Sequence, residues 1–134
     1  MEIDYNHHCF GCGELNSQSL KLKFLQGVDG VYTIFTPGDY HQGYPGIMHG
    51  GITSTLLDEV MSNCIVAIGF RAVTARLEVR FRQSIPLYRQ LRIEGRITGR
   101  KRRVVDTEGY IYLDGEIAAE ATARFMIVQD GVLY

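Results

Sequence analysis

The sequence predicts an α+β domain in which one long buried helix is wrapped by a curled antiparallel β-sheet. Residues 52–68 contain neither proline nor glycine and are long enough for four to five helical turns. On both sides of this segment apolar and polar residues alternate, which is the period of a half-buried strand. The turns between the last strands are tight, which is typical of antiparallel neighbours, and one helix covered by such a sheet is an α+β architecture.

The elements are expected in the order strand, strand, helix and four further strands. A Gly/Pro-rich loop at residues 37–46 precedes the helix, and Asp114 with Gly115 predicts a tight hairpin. Because the turns between the last four strands are short, we expect these strands to form a meander. The predicted strands are residues 20–25, 31–36, 74–82, 91–97, 104–113 and 117–128.

The helical segment, within residues 49–70, is apolar over most of its circumference, so we expect it to be buried. Ala119, Ala121 and Ala123 share one face of the last strand, which predicts close packing of the helix against it. In the strand at 74–82, side chains alternate between the two faces, and four apolar residues are predicted to face the core: Ala75, Leu77, Val79 and Phe81. The apolar positions of the helix are Leu56, Leu57, Val60, Met61, Cys64, Ile65, Val66 and Ile68.

The composition is that of one globular domain covering residues 1–134. With 46% hydrophobic and 22% charged residues, the chain is neither disordered nor collagen-like. No basic region followed by an apolar core opens the sequence, and no apolar run is long enough to cross a bilayer. Three cysteines suggest reduced thiols. We therefore expect a cytoplasmic protein that does not enter a membrane.

The charge is balanced overall but uneven along the chain. The net charge is −1, which argues against a nucleic-acid partner, yet residues 71–103 hold 11 of the 14 Lys and Arg and only two acids, Glu78 and Glu94. This positive stretch suits an anionic ligand. It is equally consistent with strands that show their arginines to water.

Two adjacent carboxylates, Asp58 and Glu59, stand in the apolar helix, where an acid is costly unless it is paired or functional. They point about 100° apart, so one site is not expected to use both equally. We expect Glu59 to pair with an arginine of the basic strands. Asp58 lies beside the apolar face and beyond the first helical turn, and we interpret it as the functional acid.

Gly50 and Gly51 open the helix, where unpaired N–H groups and the lack of side chains let a carbonyl oxygen approach. Such a site can stabilise an oxyanion, although two glycines can also simply make a sharp entry into the helix. Gly50 and Asp58 are about 12 Å apart along a straight helix. If both act on one carbonyl, they must come from two subunits of a symmetric dimer.

The cysteine pair near the start of the chain resembles a metal motif at first sight. His7 and His8 precede Cys9 and Cys12, but no second Cys/His pair follows at a spacing that would complete a zinc site. The pair also precedes a strand rather than opening a helix, unlike thioredoxin-type redox motifs. We expect a structural segment and no metal, and we expect Cys64 to be a core thiol.

Three motifs resemble the PaaI-type hotdog-fold acyl-CoA thioesterases. They are the segment 41–52 with His49, Gly50 and Gly51, the helical segment 57–61, and the strand segment 74–81. The resemblance covers about residues 9–128 and extends to the CFGCG sequence at 9–13. It implies a hotdog fold and a dimer that often doubles into a tetramer. It implies hydrolysis of an acyl-CoA thioester without metal or cofactor.

The resemblance also implies roles for residues of this chain. Asp58 corresponds to the family's general base or nucleophile, Gly50 to the N–H that polarises the thioester carbonyl, and His49 to the histidine that shapes the site. Thr74 matches a residue that orients water. The family's Asn or Gln falls on Gly43 here, with Gln42 beside it as a substitute. For the phosphates of CoA the basic segment offers Arg80, Arg82, Lys101, Arg102 and Arg103.

Two alternatives remain open from the sequence. A hotdog hydroxyacyl-thioester dehydratase pairs a histidine with an acid, for which His41 and Glu59 are available. A non-catalytic acyl-CoA-binding module would share the fold without the chemistry.

Overall fold

The computed structural model describes residues 8–128, and the elements follow the predicted order. A short 3₁₀ helix, Asp39–His41, lies in the loop before the main helix. The main elements are β1 Leu25–Gln26, β2 Val31–Phe35, α1 Gly50–Ala67, β3 Arg71–Phe81, β4 Leu91–Lys101, β5 Val104–Leu113 and β6 Glu116–Val128.

The six strands form one antiparallel sheet in the order β1-β2-β4-β5-β6-β3, and α1 packs across it. The predicted α+β class, one long helix wrapped by a curled sheet, is confirmed. The predicted meander is correct for β4, β5 and β6 but wrong for β3, which lies at the far edge and, among residues 8–128, pairs only with β6. Residues 82–90, which contain Pro86, connect β3 to β4 without a tight turn, so β3 is free to cross the sheet.

A row of small residues lies under α1 and sets how closely the helix approaches the sheet. Gly95 of β4 is the register partner of Gly109 of β5, which in turn pairs with Ala121 of β6. A Cβ at Gly95 would lie 2.9 Å from the carbonyl oxygen of Val60, closer than real Cβ atoms come. The predicted alanine face of β6 is buried, as expected. The closest approach, however, is at the glycines of β4 and β5, which the sequence reading did not single out.

The first predicted strand is only partly correct. Leu20 and Leu22 are buried, as their alternation predicts, but β1 comprises only Leu25–Gln26. The N–H groups of Leu20 and Leu22 donate instead to the carbonyl oxygens of Phe10 and Gly11, at 2.9 and 3.1 Å. Because the N-terminal loop takes these hydrogen bonds, the segment does not join the sheet.

Three residues predicted to face the core are exposed. Ala75 is the extra residue of a β-bulge between Thr74 and Arg76, so the alternation of β3 is broken there. Phe81, at the end of β3, is 58% exposed. Ile68 is 48% exposed because α1 ends at Ala67.

Among residues 8–128, no helix combines the length and the apolar character that crossing a bilayer requires.

Candidate active site

Asp58 and Thr74 meet between α1 and the edge strand β3. The Thr74 hydroxyl donates a 2.8 Å hydrogen bond to Asp58 Oδ1. Burial raises the pKa of Asp58 above its ordinary value, and the hydrogen bond from Thr74 partly opposes this by favouring the ionised form. The structure therefore holds an oriented carboxylate that is more basic than a solvated aspartate. Both residues were predicted site residues, and the structure brings them together.

The two glycines at the start of α1 differ in what they can offer a ligand. His49 is the N-cap of the helix, and its Nδ1 accepts a 2.8 Å hydrogen bond from the Gly51 N–H. That N–H is therefore already used. Gly50 N–H, by contrast, has no acceptor among residues 8–128. Of the two predicted positions, Gly50 is the free donor, and Gly51 gives room to the imidazole: a Cβ there would lie 2.9 Å from His49 Nδ1.

Gly50 and Asp58 of one chain face opposite ends of β3. A Cβ at Gly50 would lie 3.6 Å from the ring of Phe81, while Asp58 contacts Thr74. Thr74 and Phe81 are separated by most of the strand, about 20 Å. The distance along the helix alone is about 12 Å. One carbonyl cannot touch both groups of the same chain.

The loop before α1 contains Gln42 and places it beside the start of the helix. Gln42 pairs with Met48 in an isolated bridge, and its Oε1 accepts a 3.2 Å hydrogen bond from the Gly46 N–H. Its amide nitrogen has no partner within the part of the chain that the structure describes. At the neighbouring Gly43, a Cβ would lie 3.3 Å from His49 Cα, so a side chain there would press on the helix cap.

His41 and Glu59, the pair required by a dehydratase, have separate partners. His41 Nδ1 accepts a 2.9 Å hydrogen bond from the Gly38 N–H, its ring packs edge-on against Phe35, and burial lowers its pKa. Glu59 Oε1 lies 3.5 Å from Cys9 Sγ. The prediction that Glu59 pairs with an arginine is wrong, since its partners among residues 8–128 are thiols.

Four of the ten arginines of the basic segment form ion pairs with carboxylates in the part of the chain that the structure describes. Arg82 forms a 2.9 Å ion pair with Glu120. Among residues 8–128, no carboxylate pairs with Lys101, Arg102 or Arg103. The other ion pairs are Arg89–Asp114, Arg92–Glu94, Arg96–Glu108 and Arg124–Asp106.

The five predicted phosphate-binding residues fall into two groups. Lys101, Arg102 and Arg103 line a cleft of about 790 Å³ together with Arg100 and Arg124. The register places this cleft at the Thr74 end of β3: Lys101 pairs with Val104, Val104 with Met126, and Met126 with Val73. Arg80 and Arg82 lie at the other end, about 20 Å further along β3. Arg100, which stacks over Phe70 at 4.5 Å, belongs to the first group and was not predicted.

The N-terminal cysteines lie against α1. Atoms of Cys9, Cys12 and Glu59 that can bind a metal are all within 4.8 Å of one another. Burial, together with the neighbouring Glu59 and Cys9, raises the pKa of Cys12 to about 12. Cys64 is buried and donates to the Val60 carbonyl oxygen at 3.3 Å, which confirms the predicted core thiol. His7 lies outside the described residues.

Comparison with known proteins places these features in a family. The model of the thioesterase superfamily matches residues 45–119, which include Gly50, Asp58 and Thr74 but not the N-terminal cysteines. Acyl-coenzyme A thioesterase THEM4 of Mus musculus is 33% identical over 97 residues, covering 70% of this chain and 41% of that protein. The chain spans less than half the length of the THEM4 proteins it matches.

Solved structures support the same architecture. The thioesterase superfamily protein RHA08564 has a TM-score of 0.79 and 28% identity, over 85% of this chain and 60% of that one. A thioesterase protein of Streptococcus pneumoniae, crystallised with coenzyme A, has a TM-score of 0.75 at 21% identity, over 80% and 88% of the two chains. The hotdog fold implied by the sequence resemblance is confirmed.

Proposed function

Because the chain belongs to the thioesterase superfamily, we propose that it hydrolyses the thioester of an acyl- or aryl-coenzyme A to the free acid and coenzyme A. The observation that carries this proposal is the Asp58 carboxylate of α1, which is partly desolvated and is oriented by the Thr74 hydroxyl. A carboxylate in that state suits general base or nucleophilic chemistry.

The reaction needs one base and one donor to the carbonyl oxygen. Ionised Asp58 takes a proton from water as the water attacks the thioester carbon, or attacks that carbon itself to give an anhydride that water then opens. In either route the C–S bond breaks, and the CoA thiolate leaves and takes up a proton. The Gly50 N–H, which has no acceptor among residues 8–128, is the donor for the negative oxygen.

The edge strand β3 explains how two chains can combine these groups. β3 pairs only with β6, so its other edge is open within the described part of the chain. Antiparallel pairing of two copies of β3 about an axis between Leu77 and Glu78 sets Thr74 of one copy opposite Phe81 of the other. Because Asp58 contacts Thr74 and Gly50 lies beside Phe81, this pairing brings Asp58 toward the Gly50 of the second copy. It also removes an exposed edge.

Substrate binding is assigned to the start of α1 and to the basic cleft. Lys101, Arg102 and Arg103, which pair with no carboxylate among residues 8–128, suit the phosphates of coenzyme A, and the cleft lies at the same end of β3 as Thr74. Arg80 and Arg82 reach a phosphate only from a second copy, since they lie at the other end of β3. A dimer is the minimum assembly, and a dimer of dimers and a cytoplasmic location remain predictions.

A mixing experiment tests the shared site. His49 has φ −61° and ψ 135°, a conformation that suits a residue before proline, and Gly50 is the first residue of α1, where proline is tolerated. Gly50→Pro therefore removes the N–H while keeping the helix. Asp58→Asn removes the base. Each variant alone should be inactive on a panel of acyl-CoA substrates, followed by release of free thiol.

Co-expression of the two variants should restore about a quarter of wild-type activity, because half of the dimers are mixed and each mixed dimer has one intact site. Gly50→Ala is the matched control: it retains the N–H, its Cβ meets Phe81 at an ordinary 3.6 Å, and it should remain active. If the mixture stays inactive while both variants fold and mix, the two-chain site is refuted. If Asp58→Asn alone hydrolyses at the wild-type rate, the assignment of the base is refuted.

A further inference from the structure

The N-terminal loop is built around the Glu59 side chain. Residue 11 faces α1, and a Cβ at Gly11 would lie 2.2 Å from Glu59 Cδ, so only glycine permits this contact. Cys9 and Cys12 flank that glycine and place their sulfurs next to the carboxylate. Loop 9–13 therefore packs against the face of α1 that carries Glu59.

The backbone holds the loop in this position. The Gly13 N–H donates to the Cys9 carbonyl oxygen at 2.8 Å and closes the turn that brings the two cysteines together. The Leu22 N–H donates to the Gly11 carbonyl oxygen at 3.1 Å, and the Ser19 hydroxyl donates to that of Gly13 at 2.7 Å. The backbone of the loop is thus held against α1 without a metal.

The spacing of the cluster fits a tetrahedral metal ion. With Zn–S near 2.3 Å and Zn–O near 2.0 Å, sulfur and oxygen ligands of a tetrahedral zinc lie about 3.5 Å apart and two sulfurs about 3.8 Å apart. Cys9 Sγ and Glu59 Oε1 are 3.5 Å apart, and all three atoms lie within 4.8 Å of one another. A small closing movement of the side chains would bring all three into coordination.

The charge of the cluster also requires an explanation. Glu59 is partly buried, and among residues 8–128 no lysine or arginine pairs with it. The thiols of Cys9 and Cys12 favour the charge of Glu59 only through weak hydrogen bonds, and no cation among residues 8–128 repays the desolvation of the carboxylate. A divalent cation bound by two thiolates and one carboxylate removes that cost.

We propose that Cys9, Cys12 and Glu59 form a site for a thiophilic divalent cation, zinc foremost, that fastens the N-terminal loop to α1. The metal replaces the two thiol protons, which pass to solvent, and solvent takes the fourth tetrahedral position. The site lies next to Asp58 in sequence but on another face of the helix. It is independent of the proposed thioesterase function.

Cobalt titration of the reduced, chelator-treated chain tests the site. We expect a sulfur-to-cobalt charge-transfer band that saturates at one cobalt per chain and disappears when zinc is added. Titration in buffers of different protonation enthalpy should show two protons released per zinc. Cys12→Ser should abolish the band, and Glu59→Gln should weaken cobalt binding at least about tenfold.

Two control variants separate the site from general effects on folding. Cys64→Ala removes the third thiol and Glu14→Gln an exposed acid, and both should bind cobalt as wild type does. Circular dichroism checks the fold of each variant, and Glu59→Gln serves as the decisive variant if Cys12→Ser does not fold. No band in the reduced wild type, or a band that survives Cys12→Ser, would overturn the proposal. So would a reduced chain that binds no zinc and forms only a Cys9–Cys12 disulfide on oxidation, since the pair would then be a redox couple.

Discussion

Replacing Thr74 with valine should slow thioester hydrolysis without unfolding the protein. Valine keeps the shape of threonine but removes the hydroxyl that donates a 2.8 Å hydrogen bond to Asp58 Oδ1. A hydrogen bond to a charged group contributes about 1.5–3 kcal/mol, and each 1.36 kcal/mol of barrier is about a factor of ten in rate. If this energy orients the ionised carboxylate, kcat/KM at neutral pH falls about 10- to 150-fold.

The pH dependence of Thr74→Val is a second, independent consequence. Burial raises the pKa of Asp58, and the hydrogen bond from Thr74 lowers it. Without the hydroxyl, desolvation acts unopposed and the pKa rises further. Only ionised Asp58 can act, so activity is lost as the pH falls through this pKa. The acidic limb of kcat/KM should therefore lie at higher pH in the variant, and alkaline pH should recover part of the loss.

The assay follows thiol release from acyl-CoA across the pH range, with thermal denaturation as a check on folding. Thr74→Ser keeps the donor and should restore both the rate and the wild-type pH profile. A valine variant whose profile coincides with wild type would refute the role of the hydroxyl. If kcat/KM falls equally in the serine and valine variants at every pH, Thr74 acts through packing of β3.

Three further predictions concern the base, the packing and the substrate. Asp58→Asn should lower kcat at least about 100-fold yet raise Tm at neutral pH. The folded-state pKa lies above the usual 3.8, so the stability cost of the charged form begins as the pH rises above 3.8 and is complete above the folded-state pKa. The amide removes this cost. Thermal denaturation of wild type and variant at acid and neutral pH checks it. Gly95→Ala should lose about 1–3 kcal/mol of unfolding free energy in urea, because its Cβ would press on the Val60 carbonyl. Gly99→Ala on the same strand is the control: its Cβ would have no atom within 4 Å, so its unfolding free energy should not fall. Joint replacement of Arg102 and Arg103 by glutamate should raise KM for acyl-CoA and weaken its salt dependence, and unchanged binding would contradict a role in holding phosphates.

The parts of the structure that depend on local pattern were predictable. The buried helix, the alternating strands and the position of Asp58 beside an apolar face follow from residues close together in the chain. The assignment of Thr74 came from family resemblance, and its hydrogen bond to Asp58 agrees with it. The crossing of β3 to the far edge depends on which strands pair, which periodicity does not encode.

The partners of Glu59 were not predictable for a related reason. Cys9 is 50 residues away, and no spacing rule links a loop thiol to a helical carboxylate at that separation. The only local signal was Gly11 between the two cysteines, and its meaning depends on what packs against it. In the sequence Gly95 and Gly109 resemble ordinary strand glycines, and only the packing of α1 against them distinguishes them.

The row of small residues beneath α1 determines where space between the helix and the sheet can be made. At Gly109 the sheet has no side chain left to shorten, and an added Cβ would already lie 3.2 Å from Met61 Cγ and 3.4 Å from Leu57 Cδ2. Extra space between the two layers at this position must therefore come from shorter side chains on the helix. Enlarging the strand residues instead would lift the helix, and Asp58 would move with it.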